Sequence, residues 1–190
     1  MITVALVDYG AGNLGNAERA LGHLGFAVRL VRSPGDLKDD VILLPGVGAW
    51  GAAMRTLTER GLVAALRAAT REGQPMVGIC LGLQLLFERS DETPGVEGLG
   101  ILKGRVRRLQ AEGRVLPHLG WALVSGTPYY FAHAYRVAPD DQSVVVATAE
   151  WGEVFPAVVV QGGVRGAQFH PERSGEPGMS WLHDALSDGP

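Results

Sequence analysis

The first half of the chain alternates short apolar runs with stretches whose apolar residues recur at helical spacing. Residues 2–7 form an apolar run, which is typical of a strand buried on both faces. Between residues 14 and 24, leucine and alanine recur on one face of a helix. The same criteria predict strands at residues 27–31, 41–44 and 76–79, and helices at 57–71 and 81–89. This β-α-β-α order predicts an α/β fold, with a doubly wound, mostly parallel sheet and helices on both faces.

The second half of the chain has short strand-like segments separated by turn residues. The pattern predicts strands at residues 105–109, 129–137, 143–149, 157–161 and 166–169, and a closing helix at 179–186. Asp140-Asp141 and Gly162-Gly163 are candidate hairpin turns. We therefore expect a mixed sheet, with an antiparallel extension of the parallel core. Because no linker or repeat interrupts the pattern, we expect one domain over residues 1–190.

The amino-acid composition of the chain limits the classes of function and site that it can have. The chain has 190 residues and a net charge of −3, so nothing indicates a basic face for nucleic acid. No apolar run reaches the roughly 18 residues of a membrane span, and the N-terminus lacks a basic signal-peptide start, so we expect a cytoplasmic protein. The single cysteine cannot form an intramolecular disulfide or a thiolate metal cluster. No H-x-H or HExxH pattern appears, and we expect neither a metal nor a cofactor.

That single cysteine, Cys80, lies where a predicted strand runs directly into a predicted helix. Gly78 and Gly82 flank it two residues away on each side, in the G-x-C-x-G form of a nucleophile elbow. Small neighbours suit the crowded backbone of such a turn. The helix N-terminus favours a thiolate, and the N–H of Leu81 would point towards an oxyanion. The pattern therefore favours a nucleophile over a buried structural cysteine.

A candidate base and its orienting group follow 90 residues later. His170 and Glu172 are two positions apart in a segment that Pro171 keeps from being helical, so their side chains should face the same way. A carboxylate beside the imidazole would fix its tautomer. Of the other histidines, His23 and His183 lie in predicted helices with no nearby orienting motif, whereas His118 and His133 are harder to dismiss.

Two glycine-rich segments also follow predicted strands. Pro45-Gly46-Val47-Gly48 could supply a second oxyanion donor from Val47 or Gly48, or it could be an ordinary tight turn. Residues 10–15 match G-x-G-x-x-G, and Arg32 could meet a 2′-phosphate, so a dinucleotide-binding module is an alternative hypothesis. That alternative leaves Cys80 and His170 without a role.

Together these motifs resemble the triad-type, class I glutamine amidotransferases, through residues 78–87 and 169–172. Within that family, residues 8–13, 45–49, 118–121 and 130–135 are similar to segments of the glutaminase subunits of imidazole glycerol phosphate synthases. The matching segments extend over nearly the whole chain in the family's order.

The resemblance implies that Cys80 attacks the side-chain amide of glutamine, that ammonia leaves, and that water releases glutamate from a γ-glutamyl thioester. His170 would carry the proton and Glu172 would orient it. The resemblance also implies binding roles for five further residues, with the first two as oxyanion donors: Val47, Leu81, Gly48, Gln84 and Tyr135.

The resemblance further implies a partner, a (β/α)₈-barrel cyclase that forms a heterodimer with the glutaminase. That cyclase uses the ammonia to make imidazole glycerol phosphate and an aminoimidazole carboxamide ribotide in histidine biosynthesis. Because free ammonia would be protonated and lost in water, the partner should dock over the active site. We expect four residues on the docking face: His118, Trp121, Tyr130 and Arg173. In the family, the segment that corresponds to residues 45–48 is thought to reorient when the partner is loaded.

Some positions depart from the family's usual residues. Ala122 replaces an asparagine, Ala134 replaces a serine or threonine, Trp50 replaces a phenylalanine and Arg173 replaces a lysine. None of these belongs to the proposed triad. A cysteine hydrolase with the same elbow but no glutamine specificity is a further alternative, and Gln84 and Glu172 argue against it.

Overall fold

The computed structural model describes residues 2–10, 13–38 and 40–187. Within these ranges, twelve strands are assigned: β1 Thr3–Val7, β2 Ala27–Val31, β3 Val41–Leu44, β4 Met76–Ile79, β5 Arg89–Ser90, β6 Gly104–Arg108, β7 His118–Val124, β8 Thr127–His133, β9 Tyr135–Pro139, β10 Val145–Glu150, β11 Val154–Gln161 and β12 Val164–Ala167. The same part of the chain contains five α-helices: α1 Leu14–His23, α2 Trp50–Glu59, α3 Leu62–Arg71, α4 Leu81–Leu85 and α5 Gly175–Ser187.

The main sheet has seven strands in the order β10-β11-β12-β4-β3-β1-β2. Its five strands from β12 to β2 are parallel, whereas β10 and β11 extend the sheet in antiparallel fashion. The predicted mixed, doubly wound architecture is therefore confirmed. Strand β4 lies between β3 and β12, so its carboxyl end opens at the centre of the sheet. Ligand sites form at such positions in open α/β sheets.

Apolar side chains alternate between the two faces of this sheet and build a core on each. On one face, Ala5 and Val7 of β1 belong to a cluster that includes side chains of α2, α3 and α4. On the other face, Val4 and Leu6 belong to a cluster with α1 and α5. Burial on both faces explains why the sequence of β1 is apolar at successive positions.

The helix predicted over residues 57–71 is wrong, because this region contains parts of two helices. Gly61 has a left-handed backbone, with φ of 69°, and separates α2 from α3. Such a residue ends a helix, and glycine adopts this conformation at little cost. The leucine spacing continues across the break, so the apolar pattern alone did not reveal it. None of the helices in the described ranges combines the length and apolar character needed to cross a bilayer.

The second half departs further from the predicted pattern. The single strand predicted over 129–137 is wrong. It is divided at Ala134 into β8, which pairs with β7, and β9, which pairs with β6. Strand β7 was not predicted, because several of its apolar residues face outwards. The Asp140-Asp141 hairpin is also wrong, since β9 and β10 lie in different sheets. The Gly162-Gly163 hairpin is confirmed by the antiparallel pairing of β11 with β12.

Candidate active site

Cys80 lies at the corner between β4 and α4, with φ of 53° and ψ of −109°. A positive φ is costly for a residue with a side chain, and such strain is common at functional sites. Crowding explains the flanking glycines. A Cβ on Gly78 would lie 2.8 Å from the backbone of Leu83, and one on Gly82 would overlap the carbonyl oxygen of Leu44. The elbow therefore requires glycine at both positions.

The Cys80 sulfur is nearly buried and lies beside a chain of amide groups. Its Sγ is 3.8 Å from the carbonyl oxygen of Ala132, and Gln168 Nε2 donates to it, also at 3.8 Å. Gln84 Nε2 donates to Gln168 Oε1 at 3.1 Å and to the carbonyl oxygen of Tyr135 at 2.8 Å. These bonds connect the nucleophile to β9 through two buried side chains.

His170 and Glu172 are hydrogen-bonded, with 2.9 Å between Nδ1 and Oε1. The proximity agrees with the sequence prediction, but the local geometry does not. Residues Pro171–Arg173 form a 3-10 turn rather than an extended segment. Because a carboxylate only accepts hydrogen bonds, Nδ1 of the imidazole carries the proton. The other ring nitrogen, Nε2, is buried and has no hydrogen-bond partner in the described part of the chain.

The surroundings of His170 hold the ring in place and alter its pKa. Its backbone N–H donates to the carbonyl oxygen of Tyr130 at 2.8 Å. Ser174 Oγ donates to the carbonyl oxygen of His170 at 2.6 Å and accepts from the N–H of Tyr130 at 2.9 Å. Burial lowers the pKa of the imidazole, but the Cys80 thiolate and Glu172 raise it more, so its pKa lies above the ordinary value. These negative neighbours therefore favour the protonated form of the His170 imidazole.

The loop after β3 closes over the elbow. The N–H of Leu81 donates to the carbonyl oxygen of Gly46 at 3.3 Å, so this oxyanion donor is occupied within the chain. Tyr9 Oη donates to the carbonyl oxygen of Pro45 at 2.7 Å. Gly48 has a φ of 113°, a value that glycine tolerates. In this conformation the loop leaves the Leu81 N–H unavailable to a substrate.

A cavity of about 210 Å³ opens at Cys80. All five residues predicted to bind substrate line it: Val47, Gly48, Leu81, Gln84 and Tyr135. His170 and Glu172 line a smaller adjoining cavity, which Val47 also lines. The structure therefore brings together predicted site residues that are up to 125 positions apart, between Val47 and Glu172.

Two polar residues near Cys80 were not predicted from the sequence. Glu92 lines the Cys80 cavity, and its Oε2 accepts from the backbone N–H of Trp50 at 2.9 Å. It lies in a run of charged residues that resembles ordinary solvent-exposed surface, so no local signal distinguished it. Gln168, in contrast, precedes His170 by two positions, and the alternation of side chains in an extended segment could have identified it.

The residues expected on a docking face divide into two groups. Trp121 is 55% exposed, its ring meets that of Tyr130 edge-on at 5.9 Å, and the Arg173 guanidinium lies 4.3 Å from the Tyr130 ring centre. His118 does not belong with them, and its prediction is corrected. Its ring is fully buried and stacks on Trp151 at 4.0 Å. His118 lies on the buried side of β7, opposite to Trp121.

Leu119 and Leu123 take the place of His118 on the exposed side of β7, and each is 62% exposed. Together with Trp121 they form an apolar row that we name the β7 strip. The strip reaches the active site, because Leu119 also lines the Cys80 cavity.

Asn13, from the glycine-rich segment, belongs to the same site. Asn13 Nδ2 donates to Glu172 Oε1 at 2.9 Å. Arg32, the candidate for a 2′-phosphate, instead pairs with Asp8 at 2.7 Å. Ala11 and Gly12 lie outside the described residues. These contacts argue against a dinucleotide loop.

Comparison with known proteins agrees with this site. Residues 5–188 match the family described as Glutamine amidotransferase class-I. A solved structure described as glutamine amidotransferase superposes with a TM-score of 0.78 at 26% identity, covering 96% of this chain and 97% of the other. PurLQS from Thermotoga maritima shares the fold, with a TM-score of 0.72 at 22% identity, covering 97% of both chains.

Relatives with higher identity narrow the family. The imidazole glycerol phosphate synthase subunit HisH of Moorella thermoacetica is 42% identical, covering 96% of this chain and 93% of that protein. The HisH subunit of Exiguobacterium sibiricum is 46% identical, covering 95% and 93%. The chloroplastic imidazole glycerol phosphate synthase hisHF of Arabidopsis thaliana is 43% identical over 96% of this chain and 34% of its own length. The chain therefore belongs to the class I glutamine amidotransferases and, within them, to the HisH family of imidazole glycerol phosphate synthase subunits. It is an enzyme with glutaminase activity that serves histidine biosynthesis.

Proposed function

We propose that Cys80, His170 and Glu172 are the catalytic triad that releases ammonia from glutamine for a cyclase partner. The observation that carries this proposal is the difference between the surroundings of the two imidazole nitrogens of His170. Nδ1 is held by Glu172 at 2.9 Å, while Nε2 is buried and has no hydrogen-bond partner among the described residues. The His170 ring lines the cavity that adjoins the cavity of the strained Cys80. This arrangement provides an oriented base for a nucleophile.

The chemistry follows from these positions. The Cys80 thiolate attacks the side-chain amide carbon of glutamine and forms a tetrahedral oxyanion. As the C–N bond breaks, the His170 imidazolium donates its Nε2 proton to the nitrogen, which leaves as ammonia. A water molecule then attacks the thioester carbon and gives a proton to Nε2. Cleavage of the C–S bond releases glutamate and restores the thiolate. Glu172 keeps the proton on Nδ1 throughout.

The polar groups at the two ends of glutamine, the α-ammonium group and the side-chain amide, match polar groups in the cavity beside Cys80. Glu92 lines that cavity as a carboxylate, and the Trp50 N–H fixes its orientation, so it is suited to the α-ammonium group. Val47 and Leu81 also line the cavity, and we assign them the oxyanion donors that become available when the loop reorients. Gly48, Gln84 and Tyr135 complete the lining. Ala134 has no hydroxyl, so its contact with glutamine is limited to the backbone and methyl group.

The occupied Leu81 N–H supports a resting state of low activity. Before two donors can meet an oxyanion, the peptide between Gly46 and Val47 has to turn its carbonyl away from Leu81 and its N–H towards the cavity. The flanking glycines allow such a change at low cost. Preorganised donors lower the barrier by about 3–4 kcal/mol each in related chemistry. We therefore assign the loop at residues 45–48 the role of a switch.

The β7 strip supports a partner docked over the cavity. Exposed apolar rows of this kind mark protein interfaces. Because Leu119 belongs both to the strip and to the cavity lining, a partner seated there would cover the route by which ammonia leaves. A (β/α)₈-barrel cyclase is the partner that we propose. A cytoplasmic location goes with this proposal, because a lone thiol nucleophile needs a reducing compartment.

The test compares Cys80→Ala with the parent chain, each in complex with the cyclase subunit. The variant should lose glutamine-dependent synthesis and glutamate release, yet retain synthesis from added ammonium salts, because the cyclase site is untouched. Glutamine hydrolysis by Cys80→Ala at the parent rate would refute the assignment. Release of ammonia from other amides at rates equal to that from glutamine would instead favour a cysteine hydrolase without glutamine specificity.

A further inference from the structure

Asn13 joins the beginning of the chain to the proposed triad. It precedes α1 with a left-handed backbone, at φ of 81°, and its Nδ2 donates to Glu172 Oε1 at 2.9 Å. The two residues are 159 positions apart. Asparagine is among the few residues that adopt this backbone conformation routinely. The glycine-rich segment that resembled a dinucleotide loop therefore supplies a side chain to the hydrolytic site.

We propose that Asn13 is a positioning residue that holds the Glu172 carboxylate in the orientation required by His170. The inference rests on the proposed role of Glu172 as the orienting group of the triad. Asn13 would act only through Glu172, without touching glutamine. It would make four residues, rather than three, necessary for a correctly oriented base.

The hydrogen bonds at Glu172 support this role. The same oxygen, Oε1, accepts from Asn13 Nδ2 and from His170 Nδ1, each at 2.9 Å. A carboxylate held by two donors on one oxygen cannot rotate about its terminal bond without losing both contacts. In the described ranges, these two side chains are the hydrogen-bond partners assigned to the Glu172 carboxylate. Asn13 therefore supplies the restraint that comes from outside the segment of residues 170–172.

Asn13 is itself fixed by its neighbours. Asn16 Nδ2, one helical turn later, donates to Asn13 Oδ1. This bond identifies the oxygen of the Asn13 amide and leaves its nitrogen for Glu172. The resulting chain runs from Asn16 through Asn13 and Glu172 to His170. The outer partners that orient metal-binding side chains in this indirect way typically change activity about 10–100-fold when removed, and we expect a comparable effect for Asn13.

The location of Asn13 separates its effect from substrate binding. Asn13 lines the small cavity that contains His170 and Glu172, but it does not line the cavity that contains Cys80 and the proposed glutamine ligands. Its removal should therefore lower kcat and leave the KM for glutamine nearly unchanged. A residue that only stabilised the fold would not be expected to change these constants so selectively.

Two variants suit the backbone at this position. Asn13→Gly removes the donor, and Asn13→Asp replaces it with a carboxyl group. Both residues tolerate a positive φ. The matched control is Gln161→Glu, which adds the same charge on an exposed residue at the opposite end of the sheet. Glutamate release is measured with the cyclase subunit present, and thermal unfolding verifies that each variant is folded.

Asn13→Gly should lower kcat about 10-fold or more, with the KM for glutamine changed by less than about twofold. Asn13→Asp should show a distinct pH dependence. While protonated, the new carboxyl can donate to Glu172 as the amide did. Once ionised it repels Glu172, and this repulsion keeps its proton bound to higher pH than the ordinary value of about 3.9. The turnover of Asn13→Asp relative to the parent should therefore fall as pH rises, whereas the ratio for Gln161→Glu should stay constant.

Failure of this inference is distinguishable from failure of the proposed function. If the parent and Gln161→Glu release no glutamate, the proposed function fails. If both are active and Asn13→Asp follows the parent at every pH, only the role of Asn13 is refuted. An increase in KM with unchanged kcat for Asn13→Gly would also refute it. Should Asn13→Gly not fold, the pH dependence of the turnover of Asn13→Asp relative to the parent decides the question.

Discussion

The backbone N–H of Leu81 donates to the carbonyl oxygen of Gly46 at 3.3 Å, across the entrance to the proposed oxyanion site. Leu81 follows the nucleophile directly, so its N–H is the donor that a tetrahedral intermediate needs most. An internal carbonyl and a substrate oxyanion compete for the same N–H. The position of the Gly46 carbonyl therefore determines whether the site is ready for catalysis.

Tyr9 restrains the loop that carries the Gly46 carbonyl, and Tyr9→Phe should loosen that loop. Its buried hydroxyl donates to the carbonyl oxygen of Pro45 at 2.7 Å, immediately before Gly46. Removing the bond leaves a buried carbonyl unsatisfied, so the free energy of unfolding should fall by about 1–3 kcal/mol. Because the loop would reorient more easily, glutamate release without the cyclase should rise relative to release with it. Denaturant titration and paired glutaminase assays measure these two effects.

The control for Tyr9 is Tyr129→Phe, which removes a hydroxyl from a residue that stacks on Phe169 away from the loop. Equal ratios of stimulated to unstimulated activity in Tyr9→Phe, Tyr129→Phe and the parent would contradict a restraining role.

Glu92→Gln should weaken the binding of glutamine with little effect on turnover. The carboxylate lines the cavity and accepts a hydrogen bond from the Trp50 backbone, and among the described residues it has no hydrogen bond to Cys80 or His170. Its loss should therefore affect the α-ammonium group rather than the reacting amide. A hydrogen bond to a charged group contributes about 1.5–3 kcal/mol, which corresponds to a rise in KM of about 10–100-fold. Asp91→Asn is the control, because Asp91 is the residue next to Glu92 in the sequence, and its side chain is exposed and does not line the cavity. A larger effect on kcat than on KM would exclude this role.

The parallel core was predictable because each of its elements has a local physical cause. The apolar run in β1 reflects burial on both faces, and the Gly78–Cys80–Gly82 spacing reflects backbone crowding at the elbow. The His170–Glu172 contact was also predictable, although it occurs in a 3-10 turn. Local spacing limits two residues to a short separation in either conformation.

Features that depend on distant packing were not predictable. No local pattern places Glu92 in the Cys80 cavity or Asn13 beside Glu172, since the chain topology creates both contacts. His118 was expected on the docking face together with Trp121, yet it lies on the opposite, buried side of β7 and packs against Trp151. Strand β7 escaped prediction for a related reason. Its outward row is apolar, so hydrophobic alternation does not distinguish the buried side from the exposed side.

Trp121→Ala should weaken association with the cyclase. Trp121 lies in the middle of the β7 strip and is 55% exposed, the position and residue type that often dominate binding energy in an interface. We expect the dissociation constant to rise about 30-fold, which corresponds to roughly 2 kcal/mol. Val146→Ala, an exposed apolar residue on β10, is the control. Titration calorimetry measures both, and equal affinities would contradict docking on the strip.

His118→Phe should reduce the loss of stability in acid. Burial lowers the pKa of His118 to about 4, with Arg114 contributing, and neither ring nitrogen has a hydrogen-bond partner among the described residues. The unfolded chain binds a proton here near the ordinary pKa of about 6.5, whereas the folded protein does not. Stability is therefore lost as pH falls from about 6.5 towards 4, and the loss is complete below the folded-state pKa.

Phenylalanine at position 118 keeps the stacking on Trp151 without a titrating group. Between pH 6 and 5, the slope of the free energy of unfolding against pH should decrease by the amount that corresponds to about one bound proton. The other titrating groups cancel in the comparison with the parent. Denaturant unfolding across this pH range measures the slope, and a slope identical to the parent's would show that burial of His118 does not oppose its protonation.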